Sequence, residues 1–345
     1  MLPVFAALVA ASTAILILAG GFVTSTGSGL SVPDWPNTYG WFMWSFPVDN
    51  MVGGILYEHS HRLIASTVGL LIVVLAVWLW RAEPRRWVRN LGYIALAAVI
   101  IQGILGGITV LWFLLDPVSI AHASLAEVVF CLTVTIALVT SPGWKRGYVR
   151  GGAATPNDVV LRKITIVTTA VIFVQIVVGA TMRHTGAGLA IPDFPLAFGG
   201  LLPPQWTPAI AIHFAHRAGA ATVTLLLLAT AGHVFYHHGR RPELRRPAIL
   251  LLSLLLLQIT LGGFNIWSRL HFIVNSLHVV TGASILVTSL VLTLRAHRAR
   301  FAASAGSTSP GAGAPRDPGF AGSASRGASA PPDPAYSPQT TRARA

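Results

Sequence analysis

Charged residues and cysteine are both scarce in this 345-residue sequence. Asp, Glu, Lys and Arg make up 10% of the chain, against roughly a quarter in soluble globular proteins. The single cysteine, Cys131, excludes a disulfide within the chain and a metal cluster of thiolates. Hydrophobic residues dominate instead, at 53% with a mean hydropathy of +0.66. The composition excludes an ordinary soluble protein and predicts a polytopic membrane protein.

Long apolar runs define the fold class. A membrane helix needs about 20 consecutive apolar residues, and eight stretches of the sequence meet that requirement. We therefore predict an all-α polytopic membrane protein with eight transmembrane helices in contact with the lipid bilayer. The stretches lie near 2–24, 60–80, 91–113, 118–140, 161–182, 209–235, 247–268 and 273–294.

Basic residues occur in alternate loops rather than in one patch. The positive-inside rule places these loops in the cytoplasm, so both termini are cytoplasmic and the 25–57 and 183–208 loops are outside. The net charge of +13 reflects this topology, and no nucleic-acid partner is expected. The basic groups are Arg81, Arg85, Arg86 and Arg89, then Lys145, Arg146, Arg150, Arg162 and Lys163, then Arg240, Arg241, Arg245 and Arg246.

The N-terminal stretch MLPVFAALVAASTAILILAGG is interpreted as a retained first span. It lacks the basic start and the cleavage site of a secretory signal peptide. It also lacks the arginine-rich amphipathic character of a mitochondrial transit segment. We therefore expect the protein in the inner (cytoplasmic) membrane of a bacterial cell.

An internal repeat organises the sequence. TGSGLSVPDWP at 26–36 aligns with TGAGLAIPDFP at 185–195, an offset of 159 residues. Later segments align at offsets of 155 and 156, so one unit is used twice. These later matches pair His61-Arg62 with His216-Arg217, Gln102 with Gln258, Gly106-Gly107 with Gly262-Gly263, and His122 with His278.

Each copy of the repeat contains four apolar stretches, and an even number of spans returns the chain to its starting side. The copies therefore share one orientation and are parallel repeats related by an axis along the membrane normal. We predict two four-helix bundles side by side, 1–141 and 159–297, joined by a cytoplasmic linker, 142–158. The Ser-, Ala-, Gly- and Pro-rich segment 298–345 is expected to be a disordered cytoplasmic tail.

Four of the 12 histidines recur in both copies of the repeat: His61, His122, His216 and His278. Each lies near the start of a span that enters from outside, so the imidazoles lie at similar depth, two per bundle. Two imidazoles on facing helices are a usual way to ligate haem iron, whereas zinc or copper takes three or four ligands. A structural role with hydrogen bonds between helices is the alternative, and the two matched pairs favour haem.

Other polar residues near the membrane surface have simpler interpretations. Arg62 and Arg217 follow histidines directly, and each is either a partner for anionic haem propionates or an arginine that extends to the interface. Asp34 and Asp193, in repeated Pro-Asp-aromatic-Pro segments, are predicted turn formers. Glycines in the spans are expected to allow close approach of helices or of a flat macrocycle; they are Gly69, Gly106, Gly107, Gly179, Gly219, Gly262 and Gly263. Interfacial polar residues are predicted at His233, His237, His238 and His297.

One charged residue breaks the repeat. Glu58 lies three residues before His61, on the same helix face, and the second copy has His213 at this position. A carboxylate beside a haem can relay protons or stabilise positive charge that develops on a substrate. The change suggests that one bundle performs chemistry and the other holds a permanent redox haem.

These motifs together resemble the haem A synthase family. The resemblance rests on TGSGLSVPDWP, on Glu58 with His61-Arg62, on His122, and on His216-Arg217 with His278, and it covers about residues 1–297. It implies a membrane oxidoreductase that converts haem O to haem A by oxidising a ring methyl to a formyl group through successive hydroxylations. It further implies that His61 and His122 flank the substrate haem, that His216 and His278 ligate a haem b cofactor, and that Glu58 is needed for the chemistry.

The resemblance also implies partners: a haem O synthase that supplies the substrate and a terminal oxidase that receives haem A. No electron donor is identified by the sequence. Many bacterial members carry a cysteine pair in the first outer loop, where this chain has SVPDWPNTY, so a mechanism that requires that pair cannot operate here. Two alternatives share all four histidines: a diheme b-type electron-transfer cytochrome, and a non-catalytic haem carrier or assembly factor.

Overall fold

The computed structural model describes residues 1–146 and 158–298, and over these residues the chain is helical without a β-strand. The predicted all-α class is therefore confirmed. Short 3-10 helices occur in the two loops predicted to lie outside, at Met43–Ser45, Val48–Asn50 and Ala187–Leu189. The α-helices are α1 Leu2–Ser25, α2 Gly54–Ala82, α3 Arg86–Leu111, α4 Asp116–Thr140, α5 Pro142–Arg146, α6 Val159–His184, α7 Pro208–His238, α8 Pro242–Trp267 and α9 Phe272–Ala296.

Every helix except the short α5 is long and apolar enough to cross a membrane, which gives the eight predicted spans. Their 24 to 31 residues correspond to about 36–46 Å of helix, longer than the ~30 Å hydrocarbon core. The helices therefore extend past the predicted apolar stretches at several ends. At α2 this matters, because the helix begins at Gly54 instead of near residue 60 and so includes Glu58.

Helix contacts divide the spans into two groups. The first helix group, α1–α4, packs in a ring in which each helix contacts the next and α4 returns to α1. The second helix group, α6–α9, forms the same ring, with α9 returning to α6. Between the groups, α1 contacts α9, α4 contacts α6, and α4 contacts α9. These contacts are symmetric, because α1 is equivalent to α6 in the repeat and α4 is equivalent to α9.

Apolar residues fill each group and the seam between them. One cluster of buried residues lies in the first helix group and another in the second. A smaller cluster, Ile17, Phe130, Ala283 and Val287, joins α1 and α4 to α9. All described residues form one compact unit, so the domain boundaries expected at 141 and 159 stay a prediction.

The two segments expected outside the bundles are described only at their ends. Of the predicted linker 142–158, Pro142–Arg146 forms α5 and Asp158 precedes α6, while 147–157 lie outside the described residues. Of the predicted tail 298–345, all but Arg298 lies outside the described residues.

Both outer loops contain the same aspartate turn. Asp34 accepts hydrogen bonds from the backbone N–H groups of Tyr39 and Gly40, at 2.8 Å each. Asp193 accepts them from Phe198 at 2.8 Å and Gly199 at 2.7 Å. The predicted turn role is thus confirmed for both aspartates.

Candidate functional site

The histidine pair of the second helix group has a spacing suited to one metal ion. His216 on α7 and His278 on α9 have ring centroids 6.4 Å apart, with the rings inclined by 63°. A metal–imidazole bond is about 2.0–2.1 Å long. Two imidazoles on opposite sides of one ion therefore have ring centres roughly 6 Å apart. The pair is close to the spacing that axial ligation requires.

Each of the four histidines packs against a glycine of the neighbouring helix. A Cβ atom added at any of these glycines would lie 2.9 to 3.4 Å from the histidine Cε1. A larger residue there would displace the imidazole, so these glycines set the ring positions. The pairs are Gly20 with His61, Gly106 with His122, Gly179 with His216, and Gly262 with His278. Gly20 was not predicted, and no helix makes the close approach predicted at Gly69, since no protein atom lies within 4 Å of its added Cβ.

Three of the four imidazoles carry a buried nitrogen without a hydrogen-bond partner. This nitrogen is Nδ1 in His61, His122 and His278. Buried polar atoms normally have partners, and an unpartnered ring nitrogen between helices would be available to hold haem iron. The residues at both histidine pairs therefore fit a haem group.

The fourth imidazole is held differently. The Gln175 side-chain Nε2 lies 3.0 Å from His216 Nδ1 and donates to the His216 carbonyl at 2.7 Å. The repeat position in the first helix group is Leu16. A metal-binding histidine usually donates its second ring N–H to a neighbouring acceptor, so Gln175 would present its Oε1 to Nδ1 when His216 holds a metal through Nε2. Gln175 was not predicted, because it has no polar counterpart in the first copy of the repeat.

Two repeated glutamines contact the other ligand candidates of the two groups. Gln102 Nε2 donates to the His122 carbonyl at 2.9 Å and lies 3.5 Å from His122 Nε2. Gln258 Nε2 lies 3.3 Å from His278 Nε2. The two glutamines, which align in the repeat, thus occupy the same position beside a histidine in the two groups.

Arg62 and Arg217 hold the outer loops onto the helix groups. The Arg62 guanidinium donates to the carbonyls of Val32 at 2.8 Å, Asp34 at 2.7 Å and Asn37 at 2.9 Å. Arg217 donates to the equivalent carbonyls, those of Ile191 at 3.2 Å, Asp193 at 2.7 Å and Leu196 at 2.7 Å. Both guanidinium groups are engaged by loop backbone, so their pairing with haem propionates stays a prediction.

Glu58 is attached to the same loop. This buried carboxylate lies 2.6 Å from Arg62 Nη2 through Oε1, and its Oε2 accepts the Val32 N–H at 2.8 Å. His213 accepts the equivalent Ile191 N–H through Nδ1 at 3.2 Å. The position is therefore used in the same way in both groups, and only the first group has a carboxylate there.

Loop aromatic rings lie beside the glycine doublets. The ring of Trp35 is so close to Gly107 that an added Cβ would lie 2.5 Å from it, and Phe194 lies 3.1 Å from the added Cβ of Gly263. The first glycine of each doublet thus faces a histidine and the second faces the loop. Each loop thus contacts the glycine next to the one that faces a histidine.

A second carboxylate of the first helix group was missed. Glu127 on α4 is 4% exposed, and its Oε2 is buried without a hydrogen-bond partner. The repeat position in the second group is Ala283. The signal was available, because an ionisable residue inside an apolar span is costly and is usually functional.

Arg183 links the two helix groups. It lies at the end of α6, and its Nη2 donates to the Gly21 carbonyl at 2.8 Å and the Ser25 hydroxyl at 2.7 Å on α1. Its Nε is buried without a partner.

Known proteins match this chain over almost its whole length. A family model, COX15-CtaA, described as a cytochrome oxidase assembly protein, matches residues 3–291. Three similar proteins carry the name "Heme A synthase". That of Geobacillus kaustophilus is 27% identical over 315 residues, 89% of this chain and 96% of its own length. That of Symbiobacterium thermophilum is 30% identical over 309 residues (86% and 97%), and that of Halalkalibacterium halodurans is 26% identical over 299 residues (84% and 94%).

Proposed function

Because this chain belongs to the COX15-CtaA family of cytochrome oxidase assembly proteins, we propose that it is a haem A synthase. It is a multi-pass membrane protein, and we place it in a bacterial inner membrane with both termini cytoplasmic. Its substrate is haem O, one ring methyl of which it oxidises to a formyl group by successive hydroxylations. A haem O synthase supplies the substrate, and a terminal oxidase receives the product.

The substrate haem is assigned to the first helix group, between His61 and His122. The observation that carries this assignment is the pair of buried Nδ1 atoms without partners, each imidazole resting on a glycine. The outer loop, anchored by Arg62, covers this end of the group and limits access of water.

The cofactor haem b is assigned to the second helix group, between His216 and His278. When bound, this group supplies one-electron transfer to and from the substrate site. The Gln175 amide orients His216, which suits a group that stays bound, whereas Leu16 leaves His61 without such a partner. We therefore assign the cofactor to the group in which an amide contacts a ligand histidine, and the substrate to the group that lacks this amide.

Glu58 is assigned to the chemistry on the ring methyl. Each hydroxylation replaces a C–H bond of the methyl carbon with a C–O bond. With water as the source of the oxygen, two protons and two electrons are released; the electrons would leave through the cofactor haem to an external acceptor, and a fixed carboxylate near the substrate can accept one of the protons or stabilise positive charge. The hydrogen bonds from Arg62 and Val32 hold the carboxylate in one position. Because the same contacts hold the loop, a test of Glu58 has to separate its chemical from its structural contribution.

A direct test is co-expression of the chain with a haem O producer. Extracted haems are separated by chromatography and identified by mass. Haem A, with a hydroxylated haem O intermediate, is the expected result. Unchanged haem O with haem b alone would reject the proposed activity.

A second candidate function is a diheme b-type electron-transfer cytochrome. The observation in its favour is the close match of the two histidine pairs, each with a glutamine and two glycines. It predicts that only haem b is extracted. A non-catalytic haem carrier predicts transfer of unchanged haem to an acceptor, so the same experiment separates all three functions.

A further inference from the structure

Two histidines at the far end of α7 converge on one carboxylate oxygen. His233 Nε2 lies 2.9 Å from Asp158 Oδ2, and His238 Nε2 lies 2.8 Å from the same atom. Both were predicted from the sequence as interfacial polar residues near a span end; their contact with a shared carboxylate was not predicted. Their convergence depends on the packing of α6 against α7, which brings Asp158 beside them.

The cluster is sheltered and its carboxylate is fixed. The His238 side chain is 6% exposed, that of His233 17% and that of Asp158 18%. Asp158 Oδ1 accepts the Leu161 N–H at 2.8 Å as the N-cap of α6, which leaves Oδ2 directed at the two imidazoles. The three candidate ligand atoms all lie within 4.8 Å of one another.

We propose that Asp158, His233 and His238 bind a divalent transition-metal ion such as Zn²⁺. Zinc binds imidazole nitrogen and carboxylate oxygen at about 2.0–2.2 Å. Two such ligands of a tetrahedral ion are about 3.4 Å apart, so each imidazole nitrogen would move about half an ångström away from the carboxylate oxygen, which it now contacts at 2.9 Å (His233) and 2.8 Å (His238). Two imidazoles and one carboxylate leave coordination positions for water. The nitrogen ligands disfavour Ca²⁺ and Mg²⁺, which prefer oxygen.

The first helix group has a different link at the same end. The repeat partner of His238 is Glu83, and that of His233 is Trp78. Glu83 forms ion pairs with Arg85 at 2.6 Å and Lys145 at 3.4 Å. The metal ion would take the place of this ion-pair link by joining the start of α6 to the end of α7.

A hydrogen-bond cluster without metal is the competing explanation, and Asp158→Asn separates the two. Asparagine is as good an N-cap as aspartate. With Oδ1 accepting the Leu161 N–H, its Nδ2 faces the histidines and can donate to their ring nitrogens in the other tautomer, so a hydrogen-bond cluster survives this substitution. A metal site loses its only anionic ligand. His233→Gln and His238→Gln keep a hydrogen-bond donor while they remove a nitrogen ligand.

The test is a Zn²⁺ titration of the purified full-length protein in detergent, in competition with a chromophoric chelator. Zinc and iron are counted separately by elemental analysis. We expect one Zn²⁺ per chain, with affinity lowered about tenfold or more in each variant. His297→Ala is the control for adventitious histidine binding, because His297 lies at the end of α9, where its Nδ1 contacts the Thr293 carbonyl at 2.9 Å.

The proposal is overturned if the wild-type chain binds no zinc, or if Asp158→Asn binds it with unchanged affinity. The haem absorption spectrum reports whether each variant is folded. If a variant fails to fold, Co²⁺ bound to the wild-type chain decides. Visible bands of a site with nitrogen and oxygen ligands support the proposal, and their absence rejects it.

Discussion

The two helix groups share a framework and differ in a few side chains that bear on chemistry. Arg62 and Arg217 bind the same three loop carbonyls, and each histidine rests on a glycine at the same place. The first group adds Glu58, where the second has His213. The loop anchors and histidine positions are kept while one buried residue changes charge, and this difference supports our proposal that the two sites have different roles.

A second difference concerns how the ligands are supported. The second group orients His216 with Gln175, whereas the first has Leu16 at that position. The first group contains the buried Glu127, whereas the second has Ala283. The first group thus has a buried carboxylate that the second lacks, and the second has an amide beside one of its histidines that the first lacks. This is the contrast expected between a site that exchanges its haem and one that keeps it.

Removal of a histidine should have the largest effect, and it should differ between the groups. His278→Ala removes one of two axial ligands of the proposed cofactor, so we expect loss of most bound haem b from the purified protein. His122→Ala should leave haem b in place and abolish haem A formation. Pyridine haemochrome spectra and chromatography of extracted haems measure both results. Equal loss of haem b in the two variants would erase the distinction between the sites.

Gln175→Leu gives the second group the residue that the first has at the equivalent position, and it should have the next largest effect. Without the amide, His216 loses the contact at Nδ1, and we expect haem b affinity to fall about 10- to 100-fold. Transfer of haem to apomyoglobin measures the change. Leu16→Gln is the reciprocal variant and should slow release of haem from the first group. Unchanged haem transfer from Gln175→Leu would show that the amide has no orienting role.

Glu127→Leu should make the protein more stable by about 1–3 kcal/mol, because it removes a buried oxygen without a partner. Thermal unfolding in detergent measures the difference. The reciprocal Ala283→Glu should lower the stability of the second group. A decrease in stability for Glu127→Leu would mean that this carboxylate has a stabilising partner.

The smallest effect concerns the pH dependence of the outer loops. Burial raises the pKa of Asp34, but hydrogen bonds from Gly40 and Tyr39 outweigh it and leave the pKa below the usual 3.8. The pKa of Asp193 is also lowered, mainly by the hydrogen bond from the Gly199 N–H. A lowered carboxyl pKa contributes stability that is present above the usual value and is lost as pH falls through the folded value. Proteolysis of the loops should therefore accelerate only below about pH 4.

Asp34→Asn is the control for this pH dependence. It should remove the response of the first loop and leave that of the second unchanged. Fragment masses distinguish cleavage in the two loops. An unchanged response of the first loop would assign the pH dependence to another group.

The eight helices could be predicted from the sequence, because a bilayer requires apolar stretches of a set length. The internal repeat supported the prediction, because each helix of the first copy has an equivalent in the second. The repeat also identified the four histidines, Arg62 and Arg217. The repeat did not predict that Arg62 binds backbone carbonyls of the loop, because the positions of these carbonyls depend on the geometry of the turn. Gln175 and Glu127 have no counterpart and so escaped a search for repeated residues. The convergence of His233 and His238 on Asp158 required the packing of separate helices.

The most direct test of divided labour is Glu58→His, which gives the first group the residue of the second. Since His213 coexists with intact loop contacts, this variant should fold and bind haem b as the wild type does. We predict haem A formation at least about a hundredfold slower, measured by chromatography of haems after co-expression with a haem O producer. His213→Glu should leave the rate nearly unchanged. Haem A formation by Glu58→His at the wild-type rate would contradict the account.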